Sequence, residues 1–159
     1  MKKLLELLTK KNLTISFAES ITGGALSRSL SKHKGASKSF QGAVIAYNKA
    51  VKTNVLNVDE SIINKYSVVS EEVAVKMVEG LKTIINSDIH ISLTGNAGPT
   101  LEEGTNNYIC YISVLYQSKL YNYKEVFKSN KRNKNIKHII KFVKNIVYNL
   151  VIWYNHKGI

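Results

Sequence analysis

The chain has 159 residues, a length typical of one domain and sufficient to bury a hydrophobic core. Apolar residues make up 44% of it, and no apolar run reaches the ~18 residues that a membrane-spanning helix requires, which excludes an integral membrane protein as the expected class. The formal net charge is +12, and it is uneven. Residues 1–116 hold 13 Lys/Arg and 10 Asp/Glu, whereas residues 117–159 hold 10 Lys/Arg and one Glu.

That basic segment has two interpretations. Clustered lysines attract nucleic acid, an anionic membrane or a phosphorylated small molecule. They also occur on solvated helix faces of Lys- and Asn-rich chains, and this composition favours the second interpretation. The first residues begin like a signal peptide, but Glu6 interrupts the apolar run and no small-residue cleavage site follows. The lone cysteine, Cys110, fits a reducing compartment. We therefore predict a cytoplasmic protein.

Helical and strand patterns alternate along the chain. Predicted helices cover residues 4–10, 22–31, 48–56, 59–65, 71–85 and 136–154, with Asn48 and Ser70 as N-caps. Predicted strands cover residues 13–17, 40–47, 89–93, 108–116 and 121–127, and the last two form a hairpin. This order predicts one α/β domain over residues 1–159, with three α/β/α layers and a mixed sheet flanked by helices.

Three loops follow predicted strand ends, at residues 20–24, 47–52 and 94–98. Ligands of such sheets bind beyond the carboxyl ends of the strands, so we expect these loops to meet. In the first loop, Ser20 and Thr22 precede Gly23, Gly24 and a helix. Glycines leave backbone N–H groups accessible at the helix N-terminus, which suits an oxyanion or a phosphate. The alternative interpretation is that a hydroxyl simply caps the helix.

Five segments of the chain carry recognisable motifs: Ala18–Gly24 (AESITGG), Gly35–Ser37 (GAS), Gly42–Tyr47 followed by Lys52, Val68–Gly80, and Thr94–Pro99 (TGNAGP). In this order they resemble the motifs of the CinA C-terminal domain family, the nicotinamide-nucleotide amidases. The resemblance covers about residues 4–150 and is closest to the stand-alone form, which has no molybdopterin-binding-like N-terminal domain.

The resemblance implies hydrolysis of the carboxamide of nicotinamide mononucleotide, giving nicotinate mononucleotide and ammonia without a metal or another cofactor. It implies a Ser20 nucleophile, Lys52 as its base, and Tyr47 as a nearby proton relay or orienting group. It also implies a nucleotide substrate, whose phosphate is expected at a helix N-terminus and at Lys131 or Arg132, and it is compatible with a homo-oligomer. The implied substrate-binding residues are Glu19, Thr22, Gly23, Gly24, Thr94, Gly95, Ala97, Gly98 and Arg132.

The base must be a lysine in this interpretation, because the four histidines show neither a suitable motif nor metal-ligand spacing. A lysine has an ordinary pKa of about 10.4, and lowering that pKa to about 7 corresponds to roughly 4 kcal/mol. Burial of Lys52, or a second cation such as Lys49, can supply this. The alternative interpretation makes Lys52 a surface helix residue.

The chain departs from the family pattern at several positions. Ile21 stands where the family has Cys, Asn48-Lys49 stands for Ser-Asn, and Thr100–Tyr108 replaces a glycine-rich loop. These changes affect substrate contacts more than the catalytic positions. Two alternatives therefore stay open: a family member that binds a nucleotide without turnover and, less favoured because no nucleic-acid motif is present, a nucleic-acid-binding module that uses residues 117–159.

Overall fold

The computed structural model describes residues 1–101 and 107–156, with backbone alone at residues 155 and 156. Five strands form one sheet: β1 Ile15–Glu19, β2 Phe40–Ile45, β3 Ile89–Asn96, β4 Tyr108–Tyr116 and β5 Lys119–Phe127. The helices are α1 Lys2–Lys10, α2 Ala25–Ser31, α3 Lys49–Asn54, α4 Glu60–Tyr66, α5 Glu71–Ile84 and α6 Arg132–His156. A short 3₁₀ turn at Ala36–Lys38 precedes β2.

The strand order in the sheet is β2-β1-β3-β4-β5. The central strand β1 is parallel to both β2 and β3, while β4 and β5 form an antiparallel hairpin that extends the sheet from β3. The carboxyl ends of β1, β2 and β3 therefore lie at the same edge. This topology brings the loops after these three strands together, as the sequence predicts.

Helices cover both faces of the sheet. The larger core joins one face to α1, α2 and α6, and the smaller core joins the opposite face to α3, α4 and α5. Strand β3 shows the two faces by alternation, since Ile91 belongs to the larger core while Ser92 Oγ donates to the Ala74 carbonyl of α5 at 2.5 Å. The prediction of a three-layer α/β/α domain with a mixed sheet is confirmed.

Helix starts agree with the predicted caps. Asn48 accepts a hydrogen bond from the Ala50 N–H at 2.9 Å, and Ser70 accepts one from the Val73 N–H at 3.3 Å. The boundaries differ elsewhere. Strand β1 continues to Glu19, two residues beyond the prediction, because its neighbours pair with it over its whole length. Helix α2 begins at residue 25, not 22, and α6 begins at residue 132, not 136.

The sequence predicts that no segment is apolar over a length sufficient to span a membrane. Within residues 1–101 and 107–156, no helix combines the length and the apolar character that crossing a bilayer would require.

Candidate active site

Ser20 is the first residue beyond β1, at the edge where the parallel strands end. Its backbone N–H donates to the Leu93 carbonyl of β3 at 3.0 Å, and its carbonyl accepts from the Gly23 N–H at 3.1 Å. The residue is only 8% exposed. The serine is thus held by the sheet on one side and by its own turn on the other.

Lys52 of α3 meets this serine although 32 residues separate them in the chain. Its Nζ lies 3.1 Å from Ser20 Oγ and donates to the Ala46 carbonyl at 2.6 Å, and the residue is 2% exposed. The Asn48 cap starts α3 directly after β2, and helical side chains lean toward the helix N-terminus. The amine therefore reaches back to the strand end. The amine is thus within reach to exchange a proton with the Ser20 hydroxyl.

Glu19 lies beneath the loop, fully buried. One carboxylate oxygen accepts from the Thr22 hydroxyl at 2.6 Å, the Gly24 N–H at 3.0 Å and the Leu26 N–H at 3.1 Å. The other accepts from the Ser27 N–H at 2.7 Å and from the Ser27 hydroxyl. The protein's own carboxylate therefore occupies the positive end of α2. The structure places Glu19 as a support of the loop, and this helix end is not open to a substrate phosphate.

The backbone amides after Ser20 differ in what they already bind. The Gly23 N–H donates to the Ser20 carbonyl and the Gly24 N–H to Glu19. Among the described residues, nothing accepts the N–H of Ile21 or Thr22. The amides of the two glycines are therefore already engaged, while those of Ile21 and Thr22 remain available to a ligand.

Thr94 and Gly95, at the end of β3, hold the loops in place. The Thr94 hydroxyl donates to the Val68 carbonyl at 2.6 Å. A Cβ on Gly95 would lie 2.3 Å from the Ile109 carbonyl oxygen and 2.9 Å from the Ile21 side chain, so only glycine fits there. Ile21, which stands where the family has Cys, is buried against this glycine. Thr94 and Gly95, which the sequence predicts as substrate-binding residues, thus contribute to the packing of these loops in the structure.

The following turn is tied to α6 by its carbonyl groups. Asn135 Nδ2 donates to the Ala97 carbonyl at 3.0 Å and to the Ser129 carbonyl at 2.6 Å, and Arg132 Nη1 donates to the Gly98 carbonyl at 3.2 Å. Asn135 is buried. The sequence did not indicate this residue, because Asn135 precedes the helix predicted over residues 136–154 and a buried asparagine has no local signature.

Arg132 also reaches Tyr47, 85 residues away. Its Nη2 donates to the Tyr47 hydroxyl at 3.2 Å. Tyr47 is 62% exposed, in contrast to the buried Ser20 and Lys52. The structure therefore places Tyr47 with Arg132 at the outer surface. The candidate site thus combines the loops that follow β1, β2 and β3 with the start of α6.

Two predictions concern the surroundings of this site. The altered segment Thr100–Tyr108 includes residues 102–106, which lie outside the described residues. Over the described parts of the chain, no group of three or more His, Cys, Asp or Glu side chains is arranged to hold a metal ion.

Comparisons with known proteins agree with one another. A family model described as the CinA C-terminal domain matches residues 1–151. A CinA-like protein of Pseudothermotoga lettingae is 46% identical over 97 residues, which cover 61% of this chain and 24% of that protein. Another, from Dictyoglomus thermophilum, is 43% identical over 134 residues, which cover 82% of this chain and 32% of that protein. The chain thus spans about a quarter to a third of the length of these relatives.

Solved structures show the same fold. The competence or damage-inducible protein from Enterobacter asburiae superposes with a TM-score of 0.89 at 23% identity, covering 94% of both chains. A CinA superfamily protein from Klebsiella pneumoniae also gives 0.89, at 22% identity and with 94% of both chains covered. At these identities the likeness establishes the architecture.

Proposed function

Because the chain belongs to the CinA C-terminal domain family, we propose that it is an amidohydrolase that converts nicotinamide mononucleotide to nicotinate mononucleotide and ammonia. The observation that carries this proposal is the buried contact of 3.1 Å between Ser20 Oγ and Lys52 Nζ. A hydroxyl within hydrogen-bond reach of a buried amine is the arrangement of a nucleophile and its base. The substrate comes from the family resemblance.

Acylation begins when Ser20 Oγ attacks the carboxamide carbon and the uncharged Lys52 amine takes the hydroxyl proton. The tetrahedral intermediate collapses by breaking the C–N bond, and the proton on Lys52 passes to the departing nitrogen, which leaves as ammonia. The product of this half-reaction is an ester on Ser20. Water then attacks the ester carbonyl and gives one proton to Lys52, which returns it to Ser20 Oγ as the C–O bond breaks. The carboxylic acid leaves and gives its remaining proton to solvent, which yields the carboxylate.

The negative charge that develops on the carbonyl oxygen needs donors. The N–H groups of Ile21 and Thr22 directly follow the nucleophile, and no described residue accepts them. We assign them as the oxyanion donors, held in place by the hydrogen bonds between Glu19 and the loop. Losing one donor of this kind costs about 10²–10³ in rate.

Arg132 is the proposed contact for the nucleotide phosphate. Its guanidinium has five N–H donors, of which the structure engages one with the Gly98 carbonyl and one with the Tyr47 hydroxyl. The planar, permanently charged group suits phosphate, and Glu19 closes the alternative position at the α2 N-terminus. In this proposal Tyr47 orients Arg132 and does not relay protons.

The direct test is ammonia release from nicotinamide mononucleotide by the wild type, Ser20→Ala and Ser29→Ala. Ser29 is the matched control, because it belongs to α2, the helix that follows the loop, and its hydroxyl donates to the Leu26 carbonyl of that helix. We expect turnover by the wild type and the control, and a loss of at least about 10³-fold for Ser20→Ala. Turnover that survives Ser20→Ala would contradict the proposal. Saturable nucleotide binding without ammonia release by the folded wild type would replace it with the binding alternative.

A further inference from the structure

Charged side chains are divided unequally between the two helical layers. Helices α1, α2 and α6, together with residues 32–39, carry twelve lysines and arginines and one acid, Glu6. Helices α3, α4 and α5, together with the cap Asp59, carry five lysines and five acids. We name the first set of elements the basic face. The charge excess is thus a property of one side of the folded molecule and not of the C-terminal segment that the linear sequence indicates.

A row of four lysines runs along α6. Lys134, Lys137, Lys141 and Lys144 follow spacings of three and four residues, which place them on one side of the helix. The first three are exposed. At 1.5 Å per residue the row is about 15 Å long.

The row continues onto α1. The pKa of the Met1 α-amino group is lowered first by burial, then by repulsion from Lys144, and then by repulsion from Lys32. Helix α6 also packs against both α1 and α2. The end of the α6 row and the segment after α2 therefore both lie near Met1, the residue that precedes α1.

A cleft of about 460 Å³ extends this surface between α1 and the segment after α2. Lys2, Lys32, Lys34 and Lys38 line it, with Glu6 as the acid that opposes them. The lysines of the cleft and of the α6 row thus form one continuous cationic track.

We propose that the basic face binds the phosphate backbone of duplex nucleic acid. A linear array of lysines matches a polymer with regularly spaced phosphates, and it gains affinity by releasing the condensed counterions. Lysines are flexible point charges without the rigid fork that reads base edges, so the contact is with the backbone and is independent of sequence. The proposal stands apart from the amidohydrolase function, and either can fail alone.

Exposed apolar side chains distinguish this partner from others. Among the described residues, α1, α2 and residues 32–39 carry no exposed large apolar side chain. The apolar groove of α6, which includes Phe142 and Trp153, is formed with Tyr121 and Tyr123 of β5 and is not lined by any lysine of the track. The apolar side of α1, including Leu4 and Leu8, is buried in the core. A helix that lies on a membrane needs an apolar face for insertion, and a single-strand site needs aromatic rings for base stacking. A duplex needs neither.

The test is fluorescence anisotropy with a labelled random-sequence duplex of about 20 base pairs, titrated between about 50 and 200 mM salt. If about five phosphates are contacted, log K falls with log salt at a slope of about −4.5, which is a loss of about 500-fold over this range. Three lysines of the row are then replaced together (Lys137→Gln, Lys141→Gln, Lys144→Gln).

The matched control removes the same charge from the opposite face (Lys65→Gln, Lys76→Gln, Lys82→Gln). We expect the basic-face variant to bind at least about tenfold more weakly, with a slope reduced by about 2 to 3, and the control to change by less than about threefold. Thermal melts verify folding. Equal losses in both variants, or no duplex binding by the wild type, would overturn the proposal. So would binding to phosphatidylserine-rich vesicles without duplex binding.

Discussion

Replacing Glu19 with Gln tests whether the buried carboxylate supports the loop that carries the nucleophile. The substitution keeps the shape of the side chain but replaces one of its two oxygens with an NH₂ group. Both oxygens accept hydrogen bonds, and between them they serve Thr22, Gly24, Leu26 and Ser27. Wherever the new NH₂ group points, it therefore faces a donor.

The magnitude follows from the least costly orientation, with the NH₂ group toward Ser27. The Ser27 hydroxyl can rotate to accept, but its backbone N–H loses its partner, which costs about 1–3 kcal/mol. Loss of the negative charge at the α2 N-terminus costs about 0.3–2 kcal/mol more. Gln is easier to bury than a carboxylate, which offsets part of this. We expect the free energy of unfolding to fall by about 2–4 kcal/mol.

Urea unfolding measures this change, with Glu72→Gln as the control. Glu72 is also in the first turn of a helix, α5, but it is exposed, so its replacement is expected to cost less than about 1 kcal/mol. A Glu19→Gln protein within about 0.5 kcal/mol of the wild type, or no less stable than the control, would refute the assigned role.

Three further predictions concern single residues. Alanine in place of a mid-helix glycine ordinarily stabilises a protein by about 1 kcal/mol. Gly80→Ala should instead lower the free energy of unfolding by at least about 2 kcal/mol in urea, because the new Cβ would lie 1.9 Å from the Leu56 carbonyl oxygen. A gain in stability would contradict this packing. Burial lowers the pKa of His90, whose ring contacts the Ile85 carbonyl, so the unfolded chain takes up the proton more readily. The stability that the neutral His90 contributes is therefore present above pH ~6.5 and is lost as the pH falls below it. Between pH 7 and 5 the free energy of unfolding of His90→Gln should fall less than that of the wild type. Parallel plots of the free energy of unfolding against pH for the two proteins would count against this. Burial raises the pKa of the Cys110 thiol, so a thiol reagent at about pH 8 should label it only after unfolding, and rapid labelling of the folded protein would contradict its burial.

Local signals predicted the features that depend on neighbouring residues. The caps Asn48 and Ser70 were predictable because a side-chain oxygen before a helix satisfies a nearby backbone N–H. The convergence of the three loops was predictable because parallel strands end at one edge of the sheet. The pairing of Ser20 with Lys52 required the family resemblance, since the lysine belongs to a helix of six residues that has no distinctive pattern of its own.

Contacts across long sequence separations were not predictable in this way. Arg132 bonds to Tyr47 and Gly98 only because α6 starts beside the loop after β3, and nothing in residues 130–135 marks that position. The same limit applies to charge. Counting charges along the sequence assigned the excess of positive charge to residues 117–159. In the folded protein, the lysines of α6 are instead combined with those of α1 and of residues 32–39.

The central claim is that Ser20 and Lys52 act as one catalytic unit, and a double-mutant cycle tests it most directly. The rate of ammonia release from nicotinamide mononucleotide is measured for the wild type, Ser20→Ala, Lys52→Met and the double variant, with circular dichroism to verify folding. Residues that act as a unit are non-additive, so the double variant should be no slower than the slower single variant. Losses that multiply in the double variant, or a Lys52→Met enzyme that keeps the wild-type rate, would contradict the account.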